Sequence, residues 1–191
     1  MLNRNDECIH ECKVSEKMAN VMKAFKYVFV LASATDIERL ASIKNASSEA
    51  KKTLYVCSNF MASTMKFFTE RESSLSRGLF NFSPRMLRLN GLDRIKKKGF
   101  VLIAGTSQIS RVKKLLKELP IEETLLIYSS WEGYYTIPEQ IAANPGYKNF
   151  RELFYNIVDI HTSGHADKTT IKRVIETINS KEVIVIHKEG D

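Results

Sequence analysis

The apolar positions of the chain fall into two patterns, short unbroken runs and stripes at helical spacing. The unbroken runs predict buried strands at residues 27–32, 53–57, 99–105, 124–128, 156–160 and 182–186. The stripes predict helices at residues 14–25, 35–50, 59–70, 108–119, 138–143 and 168–179. Because apolar strands alternate with helices, the sequence predicts an α/β fold, a mostly parallel sheet with helices on both faces.

Polar residues mark the ends of these elements. Thr35 and Glu38 have the spacing of a capping box and predict the start of the second helix. Residues 71–84, with their serines, Gly78 and Pro84, predict a surface loop. In a sheet of this kind, functional sites form at the carboxyl ends of the strands.

The composition of the chain indicates a globular, basic protein. The chain has 191 residues, 43% of them hydrophobic, and is large enough to bury a sizeable core. Its formal net charge of +7 favours polyanionic partners such as nucleic acid, although a solvated surface explains the same charge. The densest basic stretch is Lys96 to Lys98 with Arg94, preceded by Arg85 and Arg88. It either follows a nucleic-acid backbone or is a solvated face.

The sequence contains no apolar run of about 18 residues and no apolar signal-peptide core near Met1. We therefore expect a cytoplasmic protein without a membrane partner. The 3 cysteines do not form a disulfide framework, which favours free thiols in a reducing compartment. The Cys8, His10 and Cys12 spacing fits no common zinc template, so we interpret it as incidental.

The segment from His161 to Asp167 is the strongest candidate for chemistry. It directly follows a predicted strand and precedes a predicted helix, so both histidines lie at a strand's carboxyl end. A Ser163-Gly164 turn at a helix start offers backbone N–H groups to an anion, and phosphate is the obvious one. His165 could then donate a proton or bind a metal. The alternative is that Ser163 or Asp167 only caps the helix.

A further histidine, His187, ends the last predicted strand. Neighbouring parallel strands would bring His165 and His187 to one rim, the convergent arrangement that zinc requires, but the chain offers too few obvious ligands for a complete site. Gly105 to Ser107 is a weaker candidate: its backbone either holds a phosphate or forms a plain helix cap.

With these residues in view, the sequence resembles the β-CASP branch of the metallo-β-lactamase superfamily, which includes bacterial RNase J and mRNA 3′-end processing endonucleases. The resemblance rests on residues 27–42, 128–134, 161–167 and 185–187. It implies a β-CASP-like Rossmann-type domain over residues 1–150. It also implies that residues 151–191 are a C-terminal strand-helix-strand piece of a metallo-β-lactamase core.

The resemblance also implies roles for single residues. His187 would be a zinc ligand, and His165 would be the catalytic histidine beside the scissile phosphate. The phosphate- and substrate-binding residues would be His161, Ser163, Gly164 and Ala166. The implied substrate is RNA or another nucleic acid, lying between the two domains.

The sequence departs from the family in lacking the His-x-His-x-Asp-His metal motif. We therefore expect a C-terminal half only, inactive alone, binding zinc weakly or not at all until a metallo-β-lactamase half completes the site. The expected protein partner is such a half or, in a homo-oligomer, a second copy of the chain. One alternative is a non-catalytic RNA-binding or subunit-interaction module. Another is a small α/β domain that binds a phosphorylated metabolite at the turn of residues 163–167.

Overall fold

The computed structural model describes residues 9–74, 76, 78–88, 92–164 and 166–184. The helices are α1 Glu11–Ala24, α2 Ile37–Glu49, α3 Asn59–Glu70, α4 Leu92–Lys98, α5 Ile109–Leu116, α6 Gly133–Thr136, α7 Pro138–Ala143, α8 Pro145–Arg151 and α9 Lys168–Ile178. The strands are β1 Tyr27–Leu31, β2 Leu54–Val56, β3 Arg85–Met86, β4 Phe100–Ala104, β5 Thr124–Tyr128 and β6 Ile157–Asp159. None of the described helices has both the length and the apolar composition that a membrane crossing requires.

The chain divides into two compact units. The larger unit is Glu11–His161 and contains the whole sheet. The smaller unit is Met1–His10 together with Thr162–Asp191, and its described part contains α9.

The six strands form one sheet in the order β3-β2-β4-β1-β5-β6, and all of its pairs are parallel. β1 lies centrally, with Val30 opposite Ile103 of β4 on one side and Ile127 of β5 on the other. This confirms the predicted α/β fold. Because every strand runs the same way, the segments that follow the strands meet at one edge, which we call the carboxyl edge.

Helices cover both faces of this sheet. Val28 and Val30 of β1 pack in a core with residues of α1, α2 and α3, whereas Phe29 and Leu31 pack in a second core with residues of α5 and α8. Alternate side chains of a strand point to opposite faces, so each central strand contributes to both cores. This burial on two sides explains why the strands are apolar throughout.

Several short elements were not predicted from the sequence. These are β3, α4, α6 and α8, together with the 3₁₀ turns Thr106–Gln108 and Ile121–Glu123. The predicted helix 108–119 is shorter, since α5 covers only Ile109–Leu116 after the first 3₁₀ turn. Elements of one or two turns contain too few apolar positions to show a period.

The predicted capping residue of α2 is wrong. Asp36, not Thr35, is the N-cap, and its carboxylate accepts a hydrogen bond from the backbone N–H of Arg39 at 3.1 Å. Thr35 is instead engaged with Ser33, whose Oγ lies 2.8 Å from the Thr35 Oγ1. A carboxylate at this position also interacts favourably with the positive end of the helix dipole.

The turn between α4 and β4 depends on Gly99. Its φ is +71°, and a Cβ there would lie 2.4 Å from the Lys26 carbonyl oxygen. The absence of a side chain lets the next residue, Phe100, donate its N–H to that same oxygen at 3.1 Å. The start of β4 is thereby fixed beside the start of β1.

In the smaller unit, α9 begins where the sequence predicted. Asp167 is its N-cap and accepts from the Thr170 N–H at 2.6 Å. The predicted closing strand, residues 182–186, is not seen as far as it is described: residues 182–184 form no strand, and residues 185 and 186 lie outside the described part. A strand needs a hydrogen-bonded neighbour, and the six described strands pair only among themselves.

Candidate functional site

The carboxyl edge carries short polar side chains after most of the strands. They are Ser33 and Thr35 after β1, Ser58 after β2, Thr106 and Ser107 after β4, Ser129 after β5, and His161 after β6. Since each follows a hydrogen-bonded strand, its backbone position is set by the sheet. This edge is therefore where the larger unit can present chemistry.

At the carboxyl edge, the buried Arg39 side chain contacts residues of three other parts of the chain. Its side chain is 1% exposed, and its Nε and Nη2 donate to the Glu11 carboxylate at 3.1 and 2.7 Å. Its Nη1 donates to the Ser129 Oγ at 2.6 Å and lies 3.2 Å from the His161 Nδ1. Glu11 in turn accepts from the Ser42 Oγ at 2.7 Å. We call these five residues the Arg39 cluster.

The charges of the Arg39 cluster compensate one another. Burial would raise the pKa of Glu11, but hydrogen bonds from Arg39 and Ser42 outweigh it, so the pKa lies below its ordinary value. Glu11 is therefore ionised at neutral pH and balances the guanidinium. Such a pair is costly to break, because removing one partner leaves a buried charge uncompensated.

Arg39 also fixes the tautomer of His161. An arginine guanidinium has donors only, so the His161 Nδ1 that faces it must be the accepting nitrogen. The ring proton of the neutral imidazole is then on Nε2. Ile160, between β6 and His161, donates its N–H to the Tyr128 carbonyl at 3.0 Å, so the His161 backbone is held close to β5.

The segment after β5 is shaped by Trp131. A Cβ on Gly133 would lie 2.4 Å from the Trp131 ring, so the indole lies directly over a glycine. Tyr134 contacts the indole edge-to-face at 5.5 Å and stacks on Tyr147 at 4.2 Å. The Tyr128 hydroxyl donates to the Trp131 carbonyl at 3.3 Å. The aromatic residues and the glycine of residues 128–134 thus pack against one another.

Four of the predicted site residues are described, and two are not. Ser163 is half-buried, and Gly164 and Ala166 are exposed. A Cβ added at Gly164 would meet nothing within 4 Å, so its backbone faces open space. His165 and His187 lie outside the described residues. Asp167 is the N-cap of the following helix.

The described residues do not supply a metal site. Within residues 9–184, apart from the gaps given above, no three His, Cys, Asp or Glu side chains converge in a way that could hold a metal ion. His10 is exposed, and so is Cys12, which is a free thiol, whereas Cys8 lies outside the described part. Zinc therefore does not fit the described donors by themselves.

The basic stretch lies away from the carboxyl edge. Lys96, Lys97 and Lys98 end α4, just before β4 begins, so they lie at the opposite, amino edge of the sheet. Lys96 pairs with Glu118 at 3.3 Å. The five residues of β4 span about 16 Å at the usual rise of a strand, which separates the two edges.

Sequence reasoning missed the Arg39 cluster. A sequence signal exists for Arg39 alone: it precedes the buried Ile43 and Ala46 by four and seven residues, a spacing that places its side chain on the buried face of α2.

Comparison with known families gives one match. Residues 154–190 match a family described as the Zn-dependent metallo-hydrolase RNA specificity domain. No significant match to a curated protein is found. The match relates the C-terminal part of the chain to the metallo-β-lactamase superfamily and indicates a metallo-hydrolase RNA-specificity module. Zinc is implied for the complete enzymes of that family.

Proposed function

We propose that this chain is the β-CASP and C-terminal portion of a zinc-dependent phosphodiesterase that acts on RNA. The observation that carries the proposal is the match of residues 154–190 to an RNA specificity domain of zinc-dependent metallo-hydrolases. In this proposal residues 1–150 form the β-CASP-like domain. Residues 151–191 form the C-terminal segment of the metallo-β-lactamase fold.

Each proposed role has a chemical reason. His161, whose Nδ1 lies 3.2 Å from the Arg39 Nη1, binds the substrate through its imidazole ring. The backbone of Ser163, Gly164 and Ala166 binds phosphate, which the open space at Gly164 supports. His165 transfers a proton to or from the reacting group, and His187 is a zinc ligand.

The metal ligands must come largely from other residues. The sequence contains no His-x-His-x-Asp-His motif, and the described side chains include no three-ligand group. We propose that a metallo-β-lactamase half supplies these ligands and that the 191 residues alone do not cleave RNA.

The test is to measure RNA binding, zinc content and cleavage for the purified chain. We expect RNA affinity that falls as salt rises, substoichiometric zinc and no cleavage. Adding a metallo-β-lactamase half that carries the missing motif should restore cleavage. A tightly bound dizinc centre with activity in the chain alone would contradict the proposal, and so would a lack of RNA affinity.

A second candidate function is a non-catalytic RNA-binding or subunit-interaction module, favoured by the lack of a metal-ligand group among the described residues. His165→Ala and His187→Ala distinguish the two. In the enzyme portion they abolish the restored cleavage. In a pure binding module, adding the other half restores no cleavage and RNA binding survives both substitutions. His10→Ala, at an exposed histidine outside the proposed site, is the control.

A further inference from the structure

The segments that follow the neighbouring strands β1 and β4 leave the sheet toward opposite faces, which opens a crevice between them. β1 leads into α2, which packs on the same face as α1 and α3, whereas β4 leads into α5 on the opposite face. The two loops that follow these neighbouring strands therefore separate. In open parallel sheets such a point is the usual place for a ligand.

A cleft with a volume of about 200 Å³ opens at this point. The residues of its wall that matter here are Ser33, Phe60, Thr106, Ser107, Gln108 and Tyr147. Among the described residues that line it, none is acidic, basic or a histidine. Burial and the neighbouring Tyr134 raise the pKa of the Tyr147 phenol, so that group is uncharged at neutral pH. We call this the neutral cleft.

The neutral cleft is poorly suited to phosphate. The Gly105 N–H already donates to the Gln108 Oε1 at 2.9 Å, and the Met61 N–H donates to the Ser58 Oγ at 3.2 Å. These backbone donors, one after β4 and one in the first turn of α3, are groups that an anion would otherwise use. With no lysine or arginine in the wall, nothing balances a phosphate charge.

The aromatic residues favour a flat, uncharged ligand. Phe60, in the first turn of α3, is 64% exposed although it belongs to the cleft wall. Tyr147 is held in place by its stacking on Tyr134. A ring that enters the cleft can cover Phe60, while the hydroxyls of Thr106 and Ser107 meet its polar edge.

We propose that the neutral cleft receives a nucleobase of single-stranded RNA, stacked on Phe60. This inference rests on the proposed function, since an RNA substrate is what brings a base to the site. Base stacking on an aromatic side chain contributes about 1–3 kcal/mol per base and tolerates different sequences. The cleft would therefore add affinity without a strict sequence preference.

The test compares Phe60→Ala with Phe60→Tyr and Phe67→Ala, using a short oligo(A) ribonucleotide and fluorescence anisotropy. Phe67 is also exposed and lies two turns further along α3, outside the cleft wall, so it is the matched control. We expect about a tenfold loss of affinity for Phe60→Ala and near-normal affinity for the other two variants. The salt dependence should not change, because no phosphate contact is removed.

The outcomes separate this inference from the proposed function. If Phe60→Ala binds RNA as tightly as the unaltered chain, the base site is refuted and RNA binding still stands. If the unaltered chain does not bind RNA, the proposed function fails. A fluorescence titration with 2-aminopurine riboside then tests whether the neutral cleft binds a nucleobase. Riboside binding that Phe60→Ala abolishes supports the base site, and absence of riboside binding refutes it.

Discussion

The Arg39 cluster and the neutral cleft belong to the same edge of one sheet and are built in opposite ways. In the cluster, the Arg39 donors face the Glu11 carboxylate, the Ser129 hydroxyl and the His161 ring. In the cleft, Phe60 remains largely exposed and no charge lines the wall. The difference indicates that the cluster holds the edge together, whereas the cleft is available to a ligand. Substitutions of Arg39 and Glu11 should therefore change stability, whereas a substitution of Phe60 should change ligand binding.

Arg39→Met should have the largest effect on stability. It leaves the Glu11 carboxylate partly buried without its cation, and we expect the free energy of unfolding to fall by about 3–5 kcal/mol. Urea denaturation measures this. Arg71→Met is the control, because Arg71 lies over the Phe67 ring at the surface and should change stability by less than about 0.5 kcal/mol. Similar small losses in both variants would show that the cluster does not stabilise the fold.

Glu11→Gln should cost about 2 kcal/mol at neutral pH, since it removes a charged hydrogen-bond acceptor. It should also change the dependence of stability on pH. The folded pKa of Glu11 is below its unfolded value, so its contribution is complete above the unfolded pKa and is lost as pH falls through the folded pKa.

The unaltered chain should therefore lose stability more steeply in acid than Glu11→Gln does. Glu16→Gln, at a more exposed glutamate of the same helix that pairs with Lys13, is the control and should keep the steep profile. If stability depends on pH in the same way in the unaltered chain and in Glu11→Gln, Glu11 is not ionised and stabilising in the folded protein.

His161→Asn tests the fixed tautomer with a smaller cost. The asparagine Oδ1 can replace Nδ1 as acceptor for Arg39, so stability should fall by about 1 kcal/mol or less. The Nε2 donor is lost, and RNA affinity should fall about tenfold if His161 contacts an anionic oxygen. In ¹⁵N NMR of the unaltered chain, Nδ1 should be the unprotonated ring nitrogen. A protonated Nδ1 would contradict the assignment.

Phe60→Ala should have the smallest effect on stability, within about 0.5 kcal/mol, because the ring is largely exposed. Met61→Ala is the contrasting control at the adjacent position. Met61 is 2% exposed, so its truncation should cost about 2–5 kcal/mol. Thermal unfolding of both variants measures the difference. A large loss for Phe60→Ala would mean that its ring is part of the fold instead of a ligand surface.

The parallel sheet could be predicted from the sequence because its central strands β1, β4 and β5 are buried on both sides and are largely apolar. β5 matches its prediction at both ends, and β1 at its start. Two-residue β3 and one-turn α6 could not be predicted, because they are too short to show a pattern. Their positions depend on neighbours that are distant in sequence.

The candidate site was predictable only where the pattern is local. The segment of residues 161–167 combines a strand end with a helix start, and both are found where expected. The Arg39 contacts join residues that are 28, 90 and 122 positions apart, and a linear pattern does not show such pairings. The neutral cleft likewise depends on which strands are neighbours.

The long span of the Arg39 contacts has a consequence for the order of folding. Arg39 reaches Glu11 across 28 residues but His161 across 122. Closing the longer loop costs only about 1 kcal/mol more in chain entropy. The pairing of α1 with α2 can therefore form first and leave one guanidinium nitrogen bonded to water. That nitrogen meets Ser129 and His161 only after β5 and β6 have joined the sheet, so the last contacts of this arginine mark the completion of the domain.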